Sequence, residues 1–205
     1  MFRRLGFAAA GLSFATGVLI TSIIQTSSIK YNFPPTQVAA YHEEMEKPEK
    51  KIEVDYFLAY PGRIHPDSPL WRLKALRDRI WLLITFDKNK KAELKLLFAD
   101  KRLGLANILF ENGKPEIGLS TLTKGEKYLE EAFDLGRENS EFIVKLAKAS
   151  LKHREVIEKL LAIAPEEARP EIVKTLNYPK SVYDKTRNKL MEFGKPVPEN
   201  PFESH

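Results

Sequence analysis

Apolar residues recur at helical spacing through most of this chain, and the breaks between the runs set the elements. Leu70, Leu73, Leu76, Ile80, Leu83 and Ile84 stand mostly three or four residues apart, the repeat of one helix face. Ser68-Pro69 supplies a start, with Ser as N-cap and Pro at the first helical position. The pattern predicts a helix over 69–84. Thr85-Phe86-Asp87 interrupts it, and Asp87 caps the next run. There Ala92, Leu96, Ala99, Leu103, Ala106 and Phe110 step by four and three. This is the most regular stripe in the chain and predicts a central helix over 88–112, closed by Asn112-Gly113.

The stripe Gly118, Leu122, Gly125, Leu129, Ala132 and Phe133 predicts a third helix over 115–135. Glycine inside a helix costs about 1 kcal/mol relative to alanine, so Gly118 and Gly125 imply that another helix approaches closely. The short turn at Gly113-Lys114 makes this pair an antiparallel hairpin. Ile143, Leu146, Ala147, Ser150, Ile157, Leu161 and Ala164 share a face of a helix over 140–164, with Ser140 as its cap. Pro165 and Pro170 then delimit a short helix over 166–176, and a last helix over 181–193 ends at Gly194. The fold class is therefore all-α: an irregular antiparallel bundle of about 4–6 helices spanning 56–194, with a disordered tail over 195–205. A hairpin of this size raises a tetratricopeptide-like solenoid, but no second copy follows at a period of about 34 residues.

The N-terminus reads differently. Leu5–Ile24 carries no charge; as a helix it spans about 30 Å, the thickness of a bilayer core. A cleaved signal peptide has a shorter apolar region, about 7–15 residues, and Thr26 with Ser28 makes a poor cleavage site. The segment reads as an uncleaved transmembrane anchor, with a signal peptide as the alternative. Arg3 and Arg4 precede it, so the positive-inside bias places residues 1–4 in the cytoplasm and the domain outside. Residues 25–55, with Pro34-Pro35, Pro48 and the charged run HEEMEKPEKK, read as a flexible linker.

Charge adds little to this. The net charge is +5; without Arg3 and Arg4 it is 31 basic against 28 acidic residues, or +3. Such a mixed balance is a solvated surface rather than a nucleic-acid footprint. The chain has no cysteine, which excludes disulfides, Cys-type zinc sites and a thiol nucleophile.

Candidate chemistry is sparse. His42, His65, His153 and His205 form no His-x-x-x-His or His-Glu-x-x-His spacing, and no phosphate-cradling loop or Gly-x-Ser-x-Gly elbow is present. No catalytic, metal or cofactor site is predicted. His42 with Glu43-Glu44, and His65-Pro66-Asp67, read as solvated residues before ligands. On a helical wheel, however, Arg77 falls among Leu73, Leu76, Ile80 and Ile84, and Asp100 among Leu96, Ala99 and Leu103. Opposite charges on two apolar faces predict a buried Arg77–Asp100 ion pair that sets the register of 69–84 against 88–112. Arg154, on the stripe of 140–164, is a further candidate for the cluster.

The stretch YFLAYPGRIHPDSPLWRLKALRDRI at 56–80, followed by Phe86-Asp87-Lys88, KKAELKLLFADKRL and ENGK, resembles a bacterial family known only as a domain of unknown function. The matching positions are Tyr60-Pro61-Gly62, Pro66-Asp67-Ser68-Pro69-Leu70, Leu76–Arg79 and Ala99–Leu103, within about 56–135. Ala59 and Arg63 depart from the pattern. The resemblance implies an envelope protein and brings no activity, ligand or catalytic residue with it. Anchor, tether and helical body together predict a domain on the extracytoplasmic side of a bacterial cytoplasmic membrane that binds or scaffolds, with a possible envelope protein partner. The alternatives are an envelope hydrolase, or a lipid-surface module that uses the basic helix 69–84.

Overall fold

The computed structural model describes residues 52–203. Their regular structure is helical: α1 (Trp71–Ile84), α2 (Lys88–Glu111), α3 (Pro115–Gly136), α4 (Ser140–Ile163), a 3-10 turn (Glu166–Ala168) and α5 (Arg169–Glu192). The described region is an all-α bundle. The predicted anchor over 5–24 and nearly all of the linker lie outside the described residues, among which no helix is long and apolar enough to cross a membrane.

Local chemistry fixes most boundaries. Asp87 accepts a hydrogen bond from the Lys90 amide at 2.8 Å and caps α2. Gly113 takes a φ of +68°, the left-handed stop that ends α2 and turns the chain into α3. Asn139, not Ser140, caps α4, accepting from the Glu141 and Phe142 amides at 3.1 Å each. Ser68 does not cap α1: its hydroxyl accepts from the Leu70 amide at 3.3 Å within a turn, and the helix begins two residues after Pro69.

Two expectations for the C-terminal part are corrected. The separate helices over 166–176 and 181–193 are one helix, α5, which runs through Pro179. Pro170 sits in its first turn, where its missing N–H has no intrahelical partner to lose. Pro179 removes one helical bond, but it lies on the buried face with Ile172, Leu176 and Val182, and that packing outweighs the loss. The tail over 195–203 is irregular but not loose. Val197 and Phe202 pack on the core, the Tyr183 hydroxyl donates to the Pro198 carbonyl at 2.7 Å, and Arg154 lies 4.1 Å over the Phe202 ring.

α2 and α3 form the expected hairpin and make the most extensive contact in the bundle, with α4 and α5 as the second pair. At Gly125 a Cβ atom would come within 3.0 Å of the Arg102 Cβ on α2, so the glycine permits the approach its position implied. The core is two clusters. One contains Leu96, Leu129, Leu146 and Val182; the other contains Leu103, Leu122, Ile157 and Ile172. On α2, α3 and α4 a buried polar residue falls between them: Asp100, Glu126 and His153.

α1 is turned the other way from its wheel. Leu73, Ile80, Leu83 and Ile84 point outward, the last two 61% and 62% exposed, while Asp78 is buried. The inward side is held by Trp81, whose ring meets Phe98 of α2 edge-on at 6.3 Å. Lys74 also faces inward and donates to the Pro61 and Ile64 carbonyls at 3.2 Å each.

Candidate functional site

The residues before α1 form an extended strap laid on the bundle. Val54 is buried, Tyr56 and Leu58 are half-buried, and Asp55 and Phe57 face out. This is the alternation of an extended chain with one face covered. Two carboxylates hold the strap. Glu155 of α4 accepts from the Val54 amide at 2.8 Å. Asp100 of α2 accepts from the Tyr56 hydroxyl at 2.9 Å and from the Ala59 amide at 3.4 Å. Pro61 then packs against Gly104, where a Cβ would stand 3.4 Å away, and Asp67 pairs with Lys114 at the start of α3.

Behind the strap lies a charged chain of side chains inside the bundle. His153 Nε2 is 3.0 Å from Asp100 Oδ1, and its Nδ1 is 2.7 Å from Glu126 Oε1. His153 and Glu126 have no exposed surface and Asp100 almost none. An imidazole can donate to two carboxylates at once only when both ring nitrogens carry protons. Burial opposes that charge, but Glu126 and Asp100 together overcome the desolvation and raise the His153 pKa to about 10. Burial, and then Asp100, push the Tyr56 phenol far above its ordinary value, so it stays the donor. Glu126 Oε2 is buried without a hydrogen-bond partner, which leaves the imidazolium as the group that compensates this carboxylate.

The expected Arg77–Asp100 pair is not what forms. Arg77 is 63% exposed along its side chain and donates from Nη2 to Asp78 at 2.6 Å. Asp100 is buried, as its wheel position required, but its partners are His153, Tyr56 and Ala59. The cause is the orientation of α1, which carries Arg77 outward. Arg154 pairs with Glu158 at 2.7 Å and takes no part. His153, Glu126 and Tyr56 escaped the sequence reading. The signal was there: His153 is three residues after Ser150 and four before Ile157 on its stripe, and Glu126 is four after Leu122.

A groove of about 710 Å³ opens where the strap, the end of α1 and the first turns of α2 meet. Trp81, Leu94 and Leu97 give it apolar walls, the outward-facing Phe57 borders it, and Asp100 and Tyr56 are part of its lining. Lys90 stands at the rim beside Glu93, which pairs with Lys145 at 2.5 Å. The volume is in the range of small-molecule pockets, which are mostly apolar with a few placed polar groups. For proton transfer the groove has little to offer. Both nitrogens of His153 and both oxygens of Asp100 are already in hydrogen bonds. Among the described residues no group of three His, Cys, Asp or Glu side chains is placed to hold a metal ion.

Comparison with curated proteins and with solved structures finds no match. A family model described as a domain of unknown function, DUF5667, matches residues 63–167. The matched stretch is just over half of the chain and runs from before α1 through α4, so it takes in Asp100, Glu126 and His153. The chain belongs to the DUF5667 family, a domain of unknown function.

Proposed function

We propose that this chain is a membrane-anchored binding domain of the bacterial cell envelope. In this reading Leu5–Ile24 is the single-pass anchor, the N-terminus is cytoplasmic, and the helical domain stands on the extracytoplasmic side. Its working site is the groove, and its ligand is an amphiphile: an aliphatic or aromatic body against Phe57, Trp81, Leu94 and Leu97, with an anionic head toward Lys90.

The observation that carries the reading is the groove itself. Its lining is largely apolar, and the Asp100 in it is held in place by His153 and Glu126 behind it, so that part of the site is ordered before a ligand arrives. A preformed site lowers the ordering penalty of binding. The hydrolase alternative lacks a comparable observation, because the strongest acid–base candidates are spent on structure.

The test is titration of the full chain, in detergent, with a fluorescent fatty acid read by energy transfer from tryptophan. Saturable binding that weakens at least tenfold in Leu97→Lys is expected. Binding of equal strength in both proteins, or none in either, contradicts the assignment of the groove.

A further inference from the structure

We infer that the outward face of α1 lies on an anionic lipid surface. The inference rests on the anchored reading above for its location, and its surface adjoins the groove at Trp81 and Lys90. Leu73, Ile80, Leu83 and Ile84 make one continuous apolar stripe on the exposed side of the helix, and Phe86, 88% exposed, extends it past the last turn. Scattered apolar residues on a surface need no explanation, but a stripe that follows one helix face does. On a wheel of about 100° per residue, Arg72 and Arg77 stand on opposite flanks of this stripe. Lys88 and Lys90 are exposed just beyond Phe86.

The distribution of charge chooses the occupant. α1 carries four basic residues and one acidic residue, and that acid, Asp78, is buried on the inward side beneath Arg77. The outward face is thus apolar in the middle and cationic at the edges, the arrangement of a helix lying in a bilayer interface with its long basic side chains reaching the headgroups. Trp81, which packs on Phe98 yet stays half-exposed, stands at the border between the inward side and this face, and suits the headgroup level where tryptophan concentrates. Self-association through this face would set its cationic rims against one another. A lipid surface with phosphodiester headgroups matches both the apolar centre and the charged rim.

The chain has two tryptophans, so Trp71→Phe leaves Trp81 as the only reporter. The full chain carrying that change is reconstituted into vesicles of phosphatidylcholine alone or with phosphatidylglycerol, and Trp81 is quenched by brominated acyl chains or by aqueous iodide. The expected result is bromolipid quenching in the anionic vesicles, several-fold less in the zwitterionic ones, and weaker in high salt. Arg72→Gln and Arg77→Gln should each lower the docked-to-free ratio roughly fivefold, and Leu83→Ser with Ile84→Ser should abolish quenching. A chain that floats with both vesicles while Trp81 stays open to iodide overturns the lipid-facing α1 and leaves the anchor standing. Trp81 shielded from iodide yet unquenched by bromolipid also overturns it, and points to a second copy or another segment of this chain as the cover. A chain that fails to float with anionic vesicles overturns both readings.

Discussion

His153 Nε2 lies 3.0 Å from Asp100 Oδ1 with both side chains buried, and that pair joins α4 to α2. With Glu126 on the other ring nitrogen, one imidazolium ties three helices together. Removing one member of a buried charge pair leaves the other uncompensated, at a cost of about 3–5 kcal/mol. His153→Gln and Asp100→Asn should each destabilise the domain on that scale in urea unfolding. The double variant should lose clearly less than the sum. Strict additivity would show that the two side chains do not interact.

The same cycle applied to Arg77 should behave differently. Arg77 is exposed and bonded to its neighbour Asp78, and exposed ion pairs contribute about 0–1 kcal/mol. Arg77→Met should therefore change stability little, and Arg77→Met with Asp100→Leu should equal Asp100→Leu alone. Recovery of stability in the double variant would restore the direct pairing that the wheel suggested.

The charged chain also predicts how stability varies with pH. The His153 pKa is raised from 6.5 to about 10 in the folded domain. A raised value means that the folded state holds the proton more tightly. The contribution is complete below pH 6.5 and is lost as pH rises through about 10. Tyr56, also raised, acts in the same direction above its ordinary value of 10. On the acid side Glu155 is lowered: burial opposes its charge, but hydrogen bonds from Lys159, the Val54 amide and Lys152 outweigh it. Its contribution is present above pH 4.5 and disappears as pH falls through the lower folded value. Thermal unfolding followed from acid to alkaline pH should show a plateau between pH 4.5 and 6.5, with losses on both sides. His153→Gln should flatten the alkaline limb; an unchanged limb would contradict a charged His153.

Tyr56 links the network to the strap, and a hydrogen bond to a charged acceptor contributes about 1.5–3 kcal/mol. Tyr56→Phe should lower stability within that range. It should also speed amide exchange at Ala59, whose N–H shares the Asp100 oxygen. Faster exchange confined to α5, with the strap unchanged, would show that the hydroxyl does not hold the strap.

Much of the bundle was legible because one force dominates it. The stripe from Ala92 to Phe110 and the glycines of α3 encode a single buried face each, and α2 and α3 end within a residue of where the stripes place them. α1 misled because its apolar stripe is real but does not face the core. Periodicity identifies a face that avoids water, not the surface that covers it. α5 misled because proline is a local signal, and burial of Pro179 with its neighbours overrides it. The polar chain was half legible. Asp100 stands out as an acid among Leu96, Ala99 and Leu103 of its stripe, whereas His153 and Glu126 carry the same spacing among many other polar residues of their helices. No local rule pairs a histidine on one helix with carboxylates 53 and 27 residues away.

The central claim is that the groove beside Trp81 takes an amphiphile. A photo-crosslinking side chain in place of Thr85, which lines that groove, tests it in the native cell. Irradiation followed by mass spectrometry of the purified chain should give adducts of lipid-like mass that disappear when Leu97→Lys is added. Adducts made only of peptide, or lipid adducts undiminished by Leu97→Lys, would contradict the account.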